Sequence, residues 1–293
     1  MSRFGRVLTA MATPFGADGS LDLDGAANLA RWLVSNGNDG VVVAGTTGEA
    51  PTLSKDEHLD LIRTVRDALP DAVVVAGAGS NDTRHAIEMT DTVTELGVDA
   101  VLSVSPYYNR PPQSGIEAHF RAIAAATDLP IMIYDVPGRT GRRIGHDVLV
   151  RLFSEVENCV AFKDATGDPA GTARLMAAVP HVDLYSGDDS LTLPLLAVGA
   201  IGIVGTSTHW TAPHMAELII AFEKGDVARA REINAQLQDS FEYVNSDRCV
   251  FSQAVKVMMN RLGVPVGECR LPLGPPPGDT DERARIVIEA LHG

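Results

Sequence analysis

Along the chain, short apolar runs alternate with longer stretches in which apolar positions recur every three or four residues. The runs occupy residues 7–10, 40–44, 72–76, 100–103, 131–134, 160–162, 182–185 and 201–204, and they read as continuous rather than alternating. That is the pattern of strands in a parallel sheet buried on both faces. The intervening stretches carry helix signals. Ser54-Lys55-Asp56-Glu57 has the form of a capping box. Asn81-Asp82 leads into a predicted helix over 85–96 that Gly97 closes. Strand and helix alternate about eight times, the order of a (β/α)8 barrel closed by right-handed crossovers. An open doubly wound sheet gives the same alternation, but no GxGxxG follows the first run, which counts against its dinucleotide-binding version.

After about residue 225 the strands stop. Residues 226–244, 250–262 and 279–291 read as helices, with a Pro-rich connector over 271–278. The expected architecture is therefore an α/β (β/α)8 TIM barrel over 1–224 with a C-terminal helical domain over 225–293.

Composition narrows the function. A chain of 293 residues, 45% hydrophobic and 21% charged, can bury a sizeable core. Its net charge of -14 argues against a nucleic-acid partner, because phosphate binding relies on clustered Lys and Arg. Cys159, Cys249 and Cys269 form no CxxC pair, so neither a disulfide framework nor a zinc site is suggested, and a reducing cytoplasm fits best. The N-terminal apolar run is too short for a signal peptide, and the stretch 191–205 contains Pro194 and falls short of a membrane span. The histidines show no HExxH-like spacing, so no catalytic metal is expected.

In barrels the active site is built from the loops after the strands' C-terminal ends. Lys163 ends the sixth run, whereas Lys55, Lys224 and Lys256 lie in helical stretches or at their ends. A lysine at a strand tip has an apolar floor beneath its stem, which disfavours the ammonium, and a neutral amine can form a Schiff base with a carbonyl carbon. A surface lysine that opens a loop is the other reading.

The loop Gly45-Thr46-Thr47-Gly48-Glu49 offers two hydroxyls and backbone N–H groups to a small anion, or is a plain turn before a helix. Tyr107 and Tyr108 stand on a proline-stiffened loop after the fourth run, as core packing or as proton donors and acceptors. The loop after the fifth run places Arg139 behind Tyr134 and Pro137-Gly138. Its guanidinium is a solvated charge or a fork for a carboxylate. Later tips supply Ser186-Gly187-Asp188-Asp189 and Gly202-Ile203-Val204-Gly205, whose small residues let a ligand approach the backbone. The two aspartates read as the cap and first turn of the next helix.

Taken together, the 45–49, 105–111, 134–141 and 186–189 motifs, Lys163 and the Leu271-Pro272-Leu273 connector resemble the dihydrodipicolinate synthase family of pyruvate-dependent Schiff-base aldolases. The resemblance covers essentially the whole chain. It implies that Lys163 forms an imine with pyruvate, so that no cofactor is needed, and that Thr46 and Thr47 hold the pyruvate carboxylate. It implies a proton relay of Thr46, Tyr134 and Tyr108, with Tyr108 lent across a subunit interface in a homotetramer that is a dimer of dimers. It implies that Arg139 binds the carboxylate of aspartate semialdehyde and that Gly187 and Val204 line the pocket floor. The expected product is 4-hydroxy-tetrahydrodipicolinate, on the path to diaminopimelate and lysine. A sugar-acid aldolase of the same fold would share every step up to the acceptor. A catalytically silent barrel would be expected to have lost Lys163 or a relay hydroxyl, and it has lost none.

Two departures stand out. The family usually has Asn where this chain has Asp135, and a buried carboxylate there needs a partner or a raised pKa. Feedback-inhibited relatives bind free lysine using a histidine and a glutamate where this chain has Lys55 and His85, so inhibition by lysine is expected to be weak or absent.

Overall fold

The computed structural model describes residues 3–292. Eight strands form one closed barrel: β1 (Val7–Ala10), β2 (Gly40–Val43), β3 (Val73–Gly77), β4 (Ala100–Val104), β5 (Ile131–Asp135), β6 (Cys159–Asp164), β7 (Asp183–Ser186) and β8 (Gly202–Gly205). Each pairs in parallel with the next, and β8 returns to β1. The strands match the eight apolar runs to within one or two residues. The main difference is at β6, which continues through Lys163 to Asp164 because both neighbouring ladders continue with it. Lys163 therefore lies inside a strand, not at the start of a loop.

Helices follow the strands. On the barrel these are α1 (Leu23–Ser35), α2 (Lys55–Ala68), α3 (Thr83–Thr94), α4 (Gln113–Ala124), the single turn α5 (Pro137–Thr140), α6 (His146–Glu155), α7 (Pro169–Ala178), the short α8 (Thr192–Leu196) and α9 (Thr208–Glu223). Beyond them come α10 (Val227–Gln236), α11 (Gln238–Val244), α12 (Phe251–Arg261) and α13 (Thr280–His292). The helix expected over 226–244 is divided at Leu237, which closes α10 and opens α11. The capping box of α2 is formed: Glu57 N donates to Ser54 Oγ at 3.2 Å and Ser54 N to Glu57 Oε2 at 2.9 Å. α3 starts two residues before the predicted helix because Asp82 caps it, accepting from Arg84 N at 3.0 Å. Gly97 follows with φ +73°, a conformation that suits glycine.

Period-two alternation divides the strand side chains between two apolar layers. Leu8, Val42, Met132, Tyr134, Tyr185 and Val204 pack together inside the barrel, while residues such as Val7, Val41, Ile133 and Phe162 face the helices. Ala230, Ile233, Phe241, Val255 and Met259 of the C-terminal helices join this outer layer. A satellite cluster of Tyr243, Val244, Ala254, Met258, Ala284 and Val287 knits those helices to one another. Among the described residues no helix is long and apolar enough to cross a membrane.

Candidate active site

The register of the barrel brings the candidate chemistry together. Tyr134, Lys163 and Tyr185 are Cα partners across β5, β6 and β7, so their side chains stand side by side on the inner face. Lys163 is 5% exposed and its Nζ lies 4.4 Å from the centroid of the Tyr134 ring. Burial pulls its ammonium down to about 8; Asp189 opposes that shift and Arg139 adds to it. An appreciable fraction of neutral amine at mild pH follows. Gly187 backs the lysine stem: a Cβ there would come within 3.0 Å of Lys163 Cγ and 3.1 Å of the Asp164 carbonyl oxygen. Val204 is buried on β8 in the same inner cluster.

Beside Tyr134 lies a cavity of about 560 Å³ lined in part by Gly45, Thr46, Tyr134, Val136 and Arg139, whereas Lys163, Thr47, Gly187 and Val204 are not among its lining residues. Burial pushes the Tyr134 phenol up to about 12, with Arg139 and the Thr46 side chain opposing. The phenol therefore keeps its proton and can exchange it along the Thr46 hydroxyl. Thr47 is buried beside Thr46, and the loop is anchored where Thr13 Oγ1 donates to the Gly48 carbonyl at 2.6 Å. Arg139 stands on α5 with its Cζ 4.2 Å from the centre of the Phe251 ring. Burial lowers its pKa, but a guanidinium starts so high that it stays charged.

A further expected member stands outside the site altogether. Tyr108 is 89% exposed and has a left-handed φ of 71°, held where Asn109 N donates to the Tyr107 carbonyl and Asn109 Nδ2 to that of Asn81. Its neighbour Tyr107 lines the cavity instead.

The same cavity continues past Ser54, Lys55, His58, Ser80 and His85. His58 Nε2 sits 2.7 Å from the Gly77 carbonyl, and burial lowers its pKa.

Asp135 is fully buried on the outer face of β5, beside Asp164 on β6. Its Oδ2 accepts from Ile144 N at 3.1 Å, while its Oδ1 has no hydrogen-bond partner. Burial raises its pKa to about 7; the Ile144 bond and Arg143 oppose this, and Asp164 adds to it. The departure from Asn is thus met by a raised pKa more than by a partner.

Sequence reasoning missed two buried groups. Asp188 is a cap, accepting from Ser190 N at 3.0 Å, but Asp189 turns its carboxylate inward to Thr206 N, Ser207 N and Ser207 Oγ at 2.6–3.2 Å. It ties the β7 and β8 loops together and raises the Lys163 pKa. Gly205 leaves room for it, since a Cβ there would lie 2.9 Å from Asp189 Oδ1. The second is Glu49, whose carboxylate points away from the cavity to Lys256 Nζ at 2.7 Å. A sequence signal existed for it: Lys256 interrupts the apolar run Ala254, Val255, Val257, Met258, Met259. A lysine so placed needs a buried partner. His209 is structural, accepting from Ala12 N through Nε2 and held neutral by burial, its pKa down to about 4. Among the described residues no three His, Cys, Asp or Glu side chains are grouped as a metal would require.

The geometry agrees with what the chain is similar to. The model of the dihydrodipicolinate synthetase family matches residues 3–291. The 4-hydroxy-tetrahydrodipicolinate synthase of Acidothermus cellulolyticus is 49% identical over 92% of this chain and 87% of its own length. That of Thermosynechococcus vestitus is 48% identical over 99% and 98%. The crystal structure of the Cyanidioschyzon merolae enzyme with lysine bound superposes with a TM-score of 0.97 at 42% identity, covering 100% of this chain and 99% of that one. With a match of that extent, and the barrel and lysine geometry already described, the chain belongs to the dihydrodipicolinate synthetase family.

Proposed function

We propose that this protein is a lyase, a 4-hydroxy-tetrahydrodipicolinate synthase, which condenses pyruvate with L-aspartate 4-semialdehyde through an imine on Lys163. The observation that carries this reading is the buried Lys163 amine 4.4 Å from the centre of the Tyr134 ring, with Tyr134 and Thr46 lining one cavity.

The neutral Nζ attacks C2 of pyruvate and water leaves, giving a protonated imine. That cation is an electron sink, so a proton leaves the methyl group and an enamine forms. The enamine carbon attacks the aldehyde carbon of the second substrate, whose oxygen takes a proton from the relay. The amine of that substrate then adds to C2 and expels Lys163, closing the ring and restoring the free amine. Tyr134 and Thr46 pass protons at each stage, and positioned groups of this kind typically contribute 10²–10⁴-fold, an order-of-magnitude range. Thr46 and Thr47 hold the pyruvate carboxylate against the 45–49 loop, and Arg139 takes the carboxylate of the semialdehyde at the mouth. Gly187 and Val204 shape the floor. The imine itself supplies the electron sink, so the scheme calls for no organic cofactor and no metal.

Tyr108 completes the relay from a neighbouring subunit in a homotetramer. Its outward position on a loop with a left-handed backbone supports this, and an active monomer in sedimentation at assay concentration would contradict it. We place the protein in the cytoplasm, in keeping with three free cysteines.

A sugar-acid aldolase would share the imine and differ in its acceptor. A coupled assay with pyruvate and a panel of aldehydes separates the two. Turnover concentrated on aspartate semialdehyde is expected; preference for a neutral sugar aldehyde would overturn the assignment.

A further inference from the structure

Two contacts that the reaction itself leaves unexplained converge on α12. The first starts at Glu49, the last residue of the 45–49 loop, which holds a left-handed φ of 56°. Its carboxylate is wholly buried, with Oε1 2.7 Å from Lys256 Nζ and Oε2 accepting from Arg270 N at 2.9 Å. Lys256 is itself buried, donates to the Glu268 carbonyl at 2.9 Å, and lies 4.1 Å from the centre of the Phe15 ring. A left-handed backbone costs energy at any residue with a Cβ. A buried ion pair often stabilises no more than apolar residues of the same volume would. Strain and a buried pair at one loop residue are thus poor stabilisers, but they define that residue's position closely. The second contact is five residues earlier on the same helix, where the Arg139 Cζ lies over the Phe251 ring, 4.2 Å from its centre.

We propose that α12 is a brace that sets the two substrate-holding loops separately: Lys256, through Glu49, positions the loop of Thr46 and Thr47 for pyruvate, and Phe251 positions Arg139 for the acceptor. This inference rests on the function proposed above. Without Lys256 the buried Glu49 carboxylate keeps only the Arg270 N–H and has no counter-charge, and it leaves its site, taking with it the loop three residues upstream. Without the Phe251 ring the guanidinium loses the aromatic face it lies over. Glu49, Lys256 and Phe251 are positioning residues, and each contact should register on one substrate alone.

The test reads two constants on the intact chain: the pyruvate concentration that half-saturates borohydride trapping on Lys163, and the KM for aspartate semialdehyde. Lys256→Met is expected to raise the first about tenfold and leave the second unchanged, tenfold corresponding to about 1.4 kcal/mol. Phe251→Leu is expected to raise the second about tenfold and leave the first unchanged, with Phe251→Tyr, which restores the ring, returning it to the wild-type value. If Lys256→Met does not fold, Glu49→Gln, which leaves Lys256 in place and removes the ion pair from the loop side, is the second variant, and a rise in the pyruvate constant with the acceptor KM unchanged is expected. Constants that move together in either variant, or that do not move at all, would overturn the brace. Failure of the wild-type enzyme to trap pyruvate would instead overturn the functional reading, so the two failures are distinguishable.

Discussion

Asp135 shows how one residue answers to its surroundings. Its carboxyl is buried and half-partnered, and its pKa is raised from 3.8 to about 7. Below pH 4 the folded and unfolded chains both carry the proton. Between pH 4 and about 7 the unfolded chain gives it up while the folded chain keeps it, so this group's contribution to stability falls as pH rises and is flat above. Asn at the same position does not titrate. The difference in melting temperature, Asp135→Asn minus wild type, should therefore grow from pH 4 to pH 7 and then level off, reflecting on the order of 1–4 kcal/mol. A difference independent of pH, followed by calorimetry, would show that the carboxyl is already paired and charged.

At the scale of elements, the chain is legible wherever a local pattern decides the outcome. Continuous apolar runs marked all eight strands, because a parallel strand covered on both faces admits almost no polar side chain. The Ser54–Glu57 capping box formed as read, since its two hydrogen bonds join residues three apart. What the sequence did not disclose depends on partners distant in the chain. Glu49 meets Lys256 and Arg139 meets Phe251 across more than a hundred residues, and no local periodicity encodes such pairs. Asp189 read as the first turn behind the Asp188 cap, which it is, but its bonds to Thr206 and Ser207 join residues 17 and 18 positions away. The β5 loop gives a direct test of its element's role. Arg139→Ala removes a charge-assisted partner worth about 1.5–3 kcal/mol, so kcat/KM for aspartate semialdehyde should fall roughly ten- to hundredfold. Imine formation with pyruvate should change little. Equal damage to both steps, measured by trapping and by steady-state assay, would show that the arginine is structural.

For the whole molecule, the closed barrel makes one cavity serve two regions, the mouth above Tyr134 and the recess lined by Lys55, His58 and His85. A free lysine entering that recess would meet Lys55 and two imidazoles where its own ammonium groups need a carboxylate. Like charges within a few ångströms cost about 1–4 kcal/mol across effective dielectrics of 80 to 20. L-lysine should therefore inhibit weakly or not at all. Titration at saturating pyruvate checks this, and half-inhibition well below a millimolar concentration would mean that the recess carries a counter-charge from elsewhere in an assembly.

The proposed nucleophile is Lys163 on β6, and borohydride trapping with pyruvate across pH tests that assignment most directly. A stable adduct should form on Lys163, mapped by peptide mass. Its initial rate should rise with pH as the ammonium gives up its proton and level off above about 8. Lys163→Ala should take up none. An adduct on Lys256, or trapping that persists in Lys163→Ala, would contradict the account.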